Sequence, residues 1–246
     1  MKSLRLILGL GILFSGLSFQ QTLLANTAIE PVPRLTHYWK NRDDLGWMER
    51  HGKILVKIQK NPVDLVFLGD SITHGFDNPK TGNAVWKRDF AQWNPVNMGF
   101  GGDKTEHVLW RIDHGALDGI APKVAVVMIG TNNWSANKPA EIAEGVIAVC
   151  DAIHNKLPQT KILLLAVFPR NNPGEEKRAI VDNTNAVLEN HKFPEWVTYL
   201  DIGPAFLDEK GILSRDIMPD LLHPNAHGYD LWSEAMLPTL SGLMEE

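Results

Sequence analysis

V-D-L-V-F-L-G-D-S-I-T-H, residues 63–74, is the stretch from which the fold is read. Its apolar run stops at Gly69-Asp70-Ser71, so a buried strand turns into a helix there and delivers a serine to the turn. Four further runs of strand length follow. Residues 95–99 form a short one. Residues 123–130 (K-V-A-V-V-M-I-G) and 161–168 (K-I-L-L-L-A-V-F) are almost continuously apolar, as strands covered on both faces are. Residues 197–201 are the fifth.

Helical spacing fills the intervals. Val108, Leu109 and Ile112 share a face, as do Ile142, Val146, Val149 and Ile153. Ile180, Thr184, Val187 and Leu188 make a weaker one. A last helix follows Pro224 with Tyr229, Trp232 and Met236 inward, and residues 47–59 predict an N-terminal helix. Strand–helix alternation through five strands predicts a three-layer α/β/α sandwich around a parallel sheet. No repeat, linker or second composition regime interrupts it, so residues 29–246 read as one domain.

Ligands of such sheets bind beyond the carboxyl ends of the strands. Three polar, glycine-containing turns converge there: Gly69-Asp70-Ser71, Gly99-Phe100-Gly101-Gly102-Asp103 and Gly130-Thr131-Asn132-Asn133. A serine hydroxyl attacks only when a base removes its proton. His223, in Asp220-Leu221-Leu222-His223-Pro224-Asn225, has the best context of the nine histidines. Its position before a proline puts it on a loop, and Asp220 can curl back to hold one ring nitrogen. The N–H groups of Ser71 and Gly102 and the amide of Asn132 could hold an oxyanion. Each residue also has an ordinary structural role: Ser71 as a helix cap, Gly102 as a tight turn, Asn132 as a turn cap. The combination and its order carry the catalytic reading. Phe76, Trp86, Trp134 and Phe168 are candidates for the pocket wall.

The chain has 246 residues and a formal net charge of -5. No run of like charge suggests nucleic acid or an anionic membrane surface as partner. Lys2 and Arg5 precede an apolar stretch over residues 6–19, which reads as a secretory signal peptide within residues 1–28, cut near Ala25 or Ala28. Export would place the chain in the periplasm or medium. Cys150 is the only cysteine and lies on an apolar helical face, so it reads as core filler.

G-D-S-I-T, G-F-G-G-D, G-T-N-N and D-L-L-H-P-N together resemble the conserved blocks of the SGNH (GDSL) hydrolases. W-M-E-R-H, G-G-D-K-T-E-H-V-L-W-R and A-P-K-V-A-V-V-M-I-G-T-N-N resemble its platelet-activating-factor acetylhydrolase branch. The resemblance implies a flavodoxin-like five-stranded parallel sheet, with Ser71, Gly102, Asn132 and His223 as the four naming residues and Asp220 as the triad acid. It also implies hydrolysis of small acyl esters, acetyl first, without a cofactor, and pairing as a homodimer. Export departs from that branch and favours an acetylated carbohydrate as substrate. A lipid ester is the alternative, and a non-catalytic carbohydrate-binding domain of the same fold is a further one. A dinucleotide site fails because G-x-G-x-x-G, begun at Gly99, ends on Lys104. A metal site at His223 and His227 lacks the glutamate of H-E-x-x-H.

Overall fold

The computed structural model describes residues 25–34 and 44–246. Seven α-helices and five strands are found among them: α1 (Asp44–Lys60), β1 (Leu65–Gly69), α2 (Ser71–His74), α3 (Asn83–Val85), β2 (Pro95–Gly99), α4 (Thr105–Arg111), β3 (Val124–Met128), α5 (Pro139–Lys156), β4 (Lys161–Leu165), α6 (Glu176–Glu189), β5 (Val197–Leu200) and α7 (Ala226–Glu245). The strands form one parallel sheet in the order β2-β1-β3-β4-β5. This is the flavodoxin-like order, and its direction reverses at β1 and β3.

Every residue of β1 and β3 is buried, because helices cover both faces. Period-two alternation divides the strands between two cores. Val66, Leu68, Ala125, Val127, Ile162 and Leu164 pack toward α1, α4 and α5. Leu65, Phe67, Val124, Val126, Leu163 and Leu165 pack toward α7 and the segment after α2. That second core is aromatic: Phe76 lies 4.7 Å from both Tyr229 and Trp232, centroid to centroid. Tilted and edge-on ring pairs of this kind add about 0.5–1.5 kcal/mol each beyond area burial.

The register positions the site. Gly69 pairs with Gly99 on one side and Met128 on the other, so the first three strand-end turns start at one level. Cys150 is buried in the core, and burial pushes its thiol pKa up, as expected of a packing residue.

The predicted leader lies outside the described residues as far as position 24. Beyond it, residues 26–34 form a strap across α4 and α5. Thr105 Oγ1 donates to Ala28 O at 2.7 Å, Asn26 Nδ2 donates to Glu144 at 2.8 Å, and Val32 N–H donates to Glu106 O at 3.3 Å. Ala28 is fully buried, whereas Ala25 is exposed. Helix α6 differs from expectation in its buried face. Arg178, Val181, Thr184 and Leu188 point inward, while Val187 is exposed. Among the described residues, no helix is long and apolar enough to cross a membrane.

Candidate active site

The turn that carries Ser71 is built by close approach. A Cβ on Gly69 would run into Thr73 Oγ1 and the carbonyl of Met128, so only glycine lets β1 turn this sharply against β3. Asp70 caps the turn, its Oδ1 accepting Ile72 N–H at 2.9 Å. Ser71 then opens α2 half-buried. From the opposite side, Tyr229 of α7 donates its hydroxyl to Ile72 O at 2.6 Å and ties that helix to the turn.

Asp220 and His223 approach on the loop before α7. Leu221 adopts a left-handed φ of 59°, and its carbonyl accepts Asn171 N–H at 2.9 Å, so the loop is braced by the segment that follows β4. Asp220 Oδ2 lies 2.6 Å from His223 Nδ1, while Oδ1 accepts the backbone N–H groups of His223 at 2.7 Å and Leu222 at 3.1 Å. A carboxylate only accepts, so Nδ1 carries the proton and Nε2 is free to accept. Ser71 Oγ is 2.9 Å from that Nε2. Burial alone would raise the Asp220 carboxyl, but the hydrogen bonds and charge of His223 outweigh it and hold the pKa below the ordinary value.

The second turn is clamped from several directions. Gly102 takes φ +80°, which glycine tolerates. Gly101 N–H donates to His74 Nδ1 at 3.3 Å, and its carbonyl accepts from Arg34. Asp103 beneath is fully buried: Trp47 Nε1 donates to Oδ1 at 2.7 Å and Arg111 donates to Oδ2 at 3.0 Å. Arg111 also donates to Met98 O at 3.1 Å and lies 4.0 Å over the Phe100 ring. Burial pushes Asp103 up to about 6 against the pull of Arg111 and Trp47. Burial raises Asp70 further, to about 7, with the nearby Asp103 charge adding to it.

The third turn meets the second. Asn132 Nδ2 donates one hydrogen to Asp103 O at 2.9 Å, leaving its other N–H directed elsewhere. Asn133 is buried and bonds Glu106 at 2.9 Å, which locks the turn to α4. Arg170, also buried, donates to Thr131 O at 2.9 Å and joins the segments that follow β3 and β4. Ser71, Gly102, Asn132, Asp220 and His223 are therefore gathered at the carboxyl end of the sheet.

The pocket wall differs from expectation. Phe76 and Phe168 are fully buried and Trp86 packs against the same core, while Trp134 stacks under the Lys177 ammonium at 4.4 Å. None lines the cleft of about 650 Å³ at Ser71 and His223. Its walls combine Arg34, Arg50, His74, Asp77, Asn78 and Thr81 with Pro224 and the rings of Trp47, Phe100 and Tyr229. Arg50 is paired with Asp77 at 2.8 Å. His74 closes the stretch 63–74 and could be read as pocket lining or as exposed, and Arg50 stands in W-M-E-R-H; Arg34, Asp77, Asn78 and Thr81 lie outside the motifs. Both ring nitrogens of His223 are engaged by Ser71 and Asp220, and His227 is exposed on α7. Among the described residues, no cluster of three or more candidate ligands could hold a metal.

Residues 67–231 match the GDSL-like lipase/acylhydrolase family model. The chain is 34% identical to the platelet-activating factor acetylhydrolase IB subunit alpha2 of Rattus norvegicus, over 81% of this chain and 86% of the relative. Two solved structures share its fold. One is a Streptococcus pneumonia protein described as a platelet activating factor, with a TM-score of 0.64, 24% identity, and coverage of 80% of this chain and 95% of that one. The other is an acetylxylan esterase from Geobacillus stearothermophilus, with a TM-score of 0.55, 18% identity, and coverage of 71% and 92%. The chain belongs to the GDSL-like lipase/acylhydrolase family and is a hydrolase of esters.

Proposed function

We propose that the chain is an exported serine esterase that removes small acyl groups, acetyl first, from a carbohydrate. The observation that carries the reaction is the contact chain Ser71 Oγ–His223 Nε2–Asp220, at 2.9 and 2.6 Å, open to a cleft. His223 Nε2 takes the serine proton as Oγ attacks the acyl carbonyl. Ser71 N–H, Gly102 N–H and the spare amide hydrogen of Asn132 receive the oxyanion. His223 then returns the proton to the departing alcohol, and a water repeats the sequence to free the acid and Ser71.

Arg34, Arg50, His74, Asp77, Asn78 and Thr81 offer hydrogen bonds to a hydroxyl-rich alcohol, while Trp47, Phe100, Pro224 and Tyr229 add apolar wall beside them. The likeness in fold to an acetylxylan esterase agrees with that choice. A lipid ester is the second reading, and the 34% identity to an acetylhydrolase subunit named for platelet-activating factor favours it. Export rests on Lys2, Arg5 and the apolar stretch that follows. A homodimer is the assembly implied by the resemblance.

Hydrolysis of p-nitrophenyl acetate by wild type and Ser71→Ala tests the chemistry. Loss of turnover in the variant is expected, and equal activity refutes the assignment. Acetate release from acetylated xylan and from an acetylated short-chain lipid then separates the two substrates.

A further inference from the structure

We infer that Arg34, delivered by the N-terminal strap, is a positioning residue that strengthens the Gly102 N–H as an oxyanion donor. The inference rests on the serine-esterase reading and extends it to a segment far from the motifs.

Arg34 donates to Gly101 O. That carbonyl and the Gly102 N–H belong to one trans peptide unit, so the two groups point in opposite directions. A cation hydrogen-bonded to the carbonyl withdraws charge from the amide and makes its N–H a stronger donor on the far side. The guanidinium also lies flat on the turn: a Cβ added to Gly102 would sit 2.9–3.1 Å from its atoms. On the other side, His74 Nδ1 accepts Gly101 N–H, and a Cβ on Gly101 would lie 4.0 Å from Ser71 Cβ. The peptide is thus fixed between the strap and the nucleophile helix, beside the reacting oxygen.

The strap is built to hold this arginine in place. Asn26 reaches Glu141 O and Glu144, Ala28 is buried against Gly145 with its carbonyl taken by Thr105, Asn137 donates to Thr27 Oγ1, and Val32 N–H donates to Glu106 O. Glu106 in turn accepts from Asn133, next to the Asn132 donor. The strap therefore braces the second and third strand-end turns from the same side.

The test uses the full chain carrying Arg34→Ala, Arg34→Lys and Ser71→Ala, with p-nitrophenyl acetate as substrate and a short alkyl boronic acid as a tetrahedral adduct former. Removing a whole oxyanion donor lowers turnover about 100- to 1,000-fold, so weakening one should lower kcat by roughly 10- to 100-fold. Arg34→Ala should show that loss with KM unchanged and boronate affinity reduced in parallel, and Arg34→Lys should recover most of both. Unchanged kcat in Arg34→Ala overturns the proposal while leaving the esterase intact. So does a raised KM with kcat unchanged, which makes Arg34 a substrate contact. Equal turnover by wild type and Ser71→Ala instead removes the esterase reading itself.

Discussion

Asp220→Asn tests the proton path most sharply, because the structure dictates how an asparagine must sit. Asp220 Oδ1 accepts two backbone N–H groups, from Leu222 at 3.1 Å and His223 at 2.7 Å, while Oδ2 meets His223 Nδ1 at 2.6 Å. An amide that keeps its oxygen at Oδ1 preserves both backbone bonds and turns its NH2 toward Nδ1. The opposite flip sets NH2 against two N–H donors and forfeits two bonds worth about 1 kcal/mol each to save one. The first orientation wins, and a donor facing Nδ1 forces the imidazole proton onto Nε2. The ring can then no longer accept from Ser71. Turnover should fall about 10,000-fold, or roughly 5.5 kcal/mol in the barrier, with KM little changed. The loop bonds survive, so urea melts should move by less than about 0.5 kcal/mol. Steady-state hydrolysis of p-nitrophenyl acetate reads the first quantity. Turnover within ten-fold of wild type at pH 8 sinks the argument, since it means another group orients the base.

Three other perturbations check separate parts of the structure. Gly145→Ala, in the interior of α5, should destabilise by 1–3 kcal/mol instead of gaining the ~1 kcal/mol usual for a helix, because the new methyl meets Thr105 Oγ1 at 2.6 Å and Ala28 at 2.9 Å; a raised melting temperature refutes the docked strap. Asp70→Asn should gain on wild type as pH rises. The folded carboxyl titrates at about 7 against 3.8 in the unfolded chain, so the wild-type contribution is full below about pH 4 and lost toward pH 7, by up to roughly 4 kcal/mol; parallel urea-melt pH profiles for the two proteins refute it. If the proposed leader is removed, N-terminal sequencing should begin at Asn26, because a cut after Ala28 discards the anchors on Glu141, Glu144 and Asn137; a start at Ile29 with full activity contradicts the role given to the strap.

The strands were legible because both faces of a parallel sheet are buried, so composition alone marks them. Residues 95–99 match β2 at both ends, whereas the run 161–168 overshoots β4 by three residues. Ala166, Val167 and Phe168 are as buried as the strand, but the Asn185 side chain takes both the N–H and the carbonyl of Val167, and the ladder ends there. Residues 75–94 carry no single period. They fold as short turns, including a π turn over Trp86–Phe90, that bring Phe76, Val85 and Phe90 inward, so none of these could be told from pocket lining. The turns bearing Ser71, Asn132 and His223 were legible through spacing and order. Their supports were not. Arg111 and Arg170 are arginines that composition assigns to the surface, yet both are buried against partners distant in sequence. Arg34 precedes the first predicted helix, and nothing local indicates that it reaches Gly101.

The two halves of the site differ in their exposure to solvent, and this separates their response to salt. His223 and Asp220 are 43% and 56% exposed at their side chains, so mobile ions reach the pair and the Debye length, about 8 Å at physiological ionic strength, limits its field. Asp103 and Arg111, which hold the oxyanion turn, are 0% and 1% exposed and feel the same ions far less. The Asp220–His223 pair is therefore the part of the site that salt reaches, and the turn held by Asp103 and Arg111 the part it does not. Raising sodium chloride from 0.05 to 1 M should narrow the turnover gap between wild type and Asp220→Ala while leaving the stability gap between wild type and Asp103→Asn in urea melts nearly constant. A turnover gap that stays constant while the stability gap closes would assign the screening to the oxyanion side, against the burial of the Asp103–Arg111 pair.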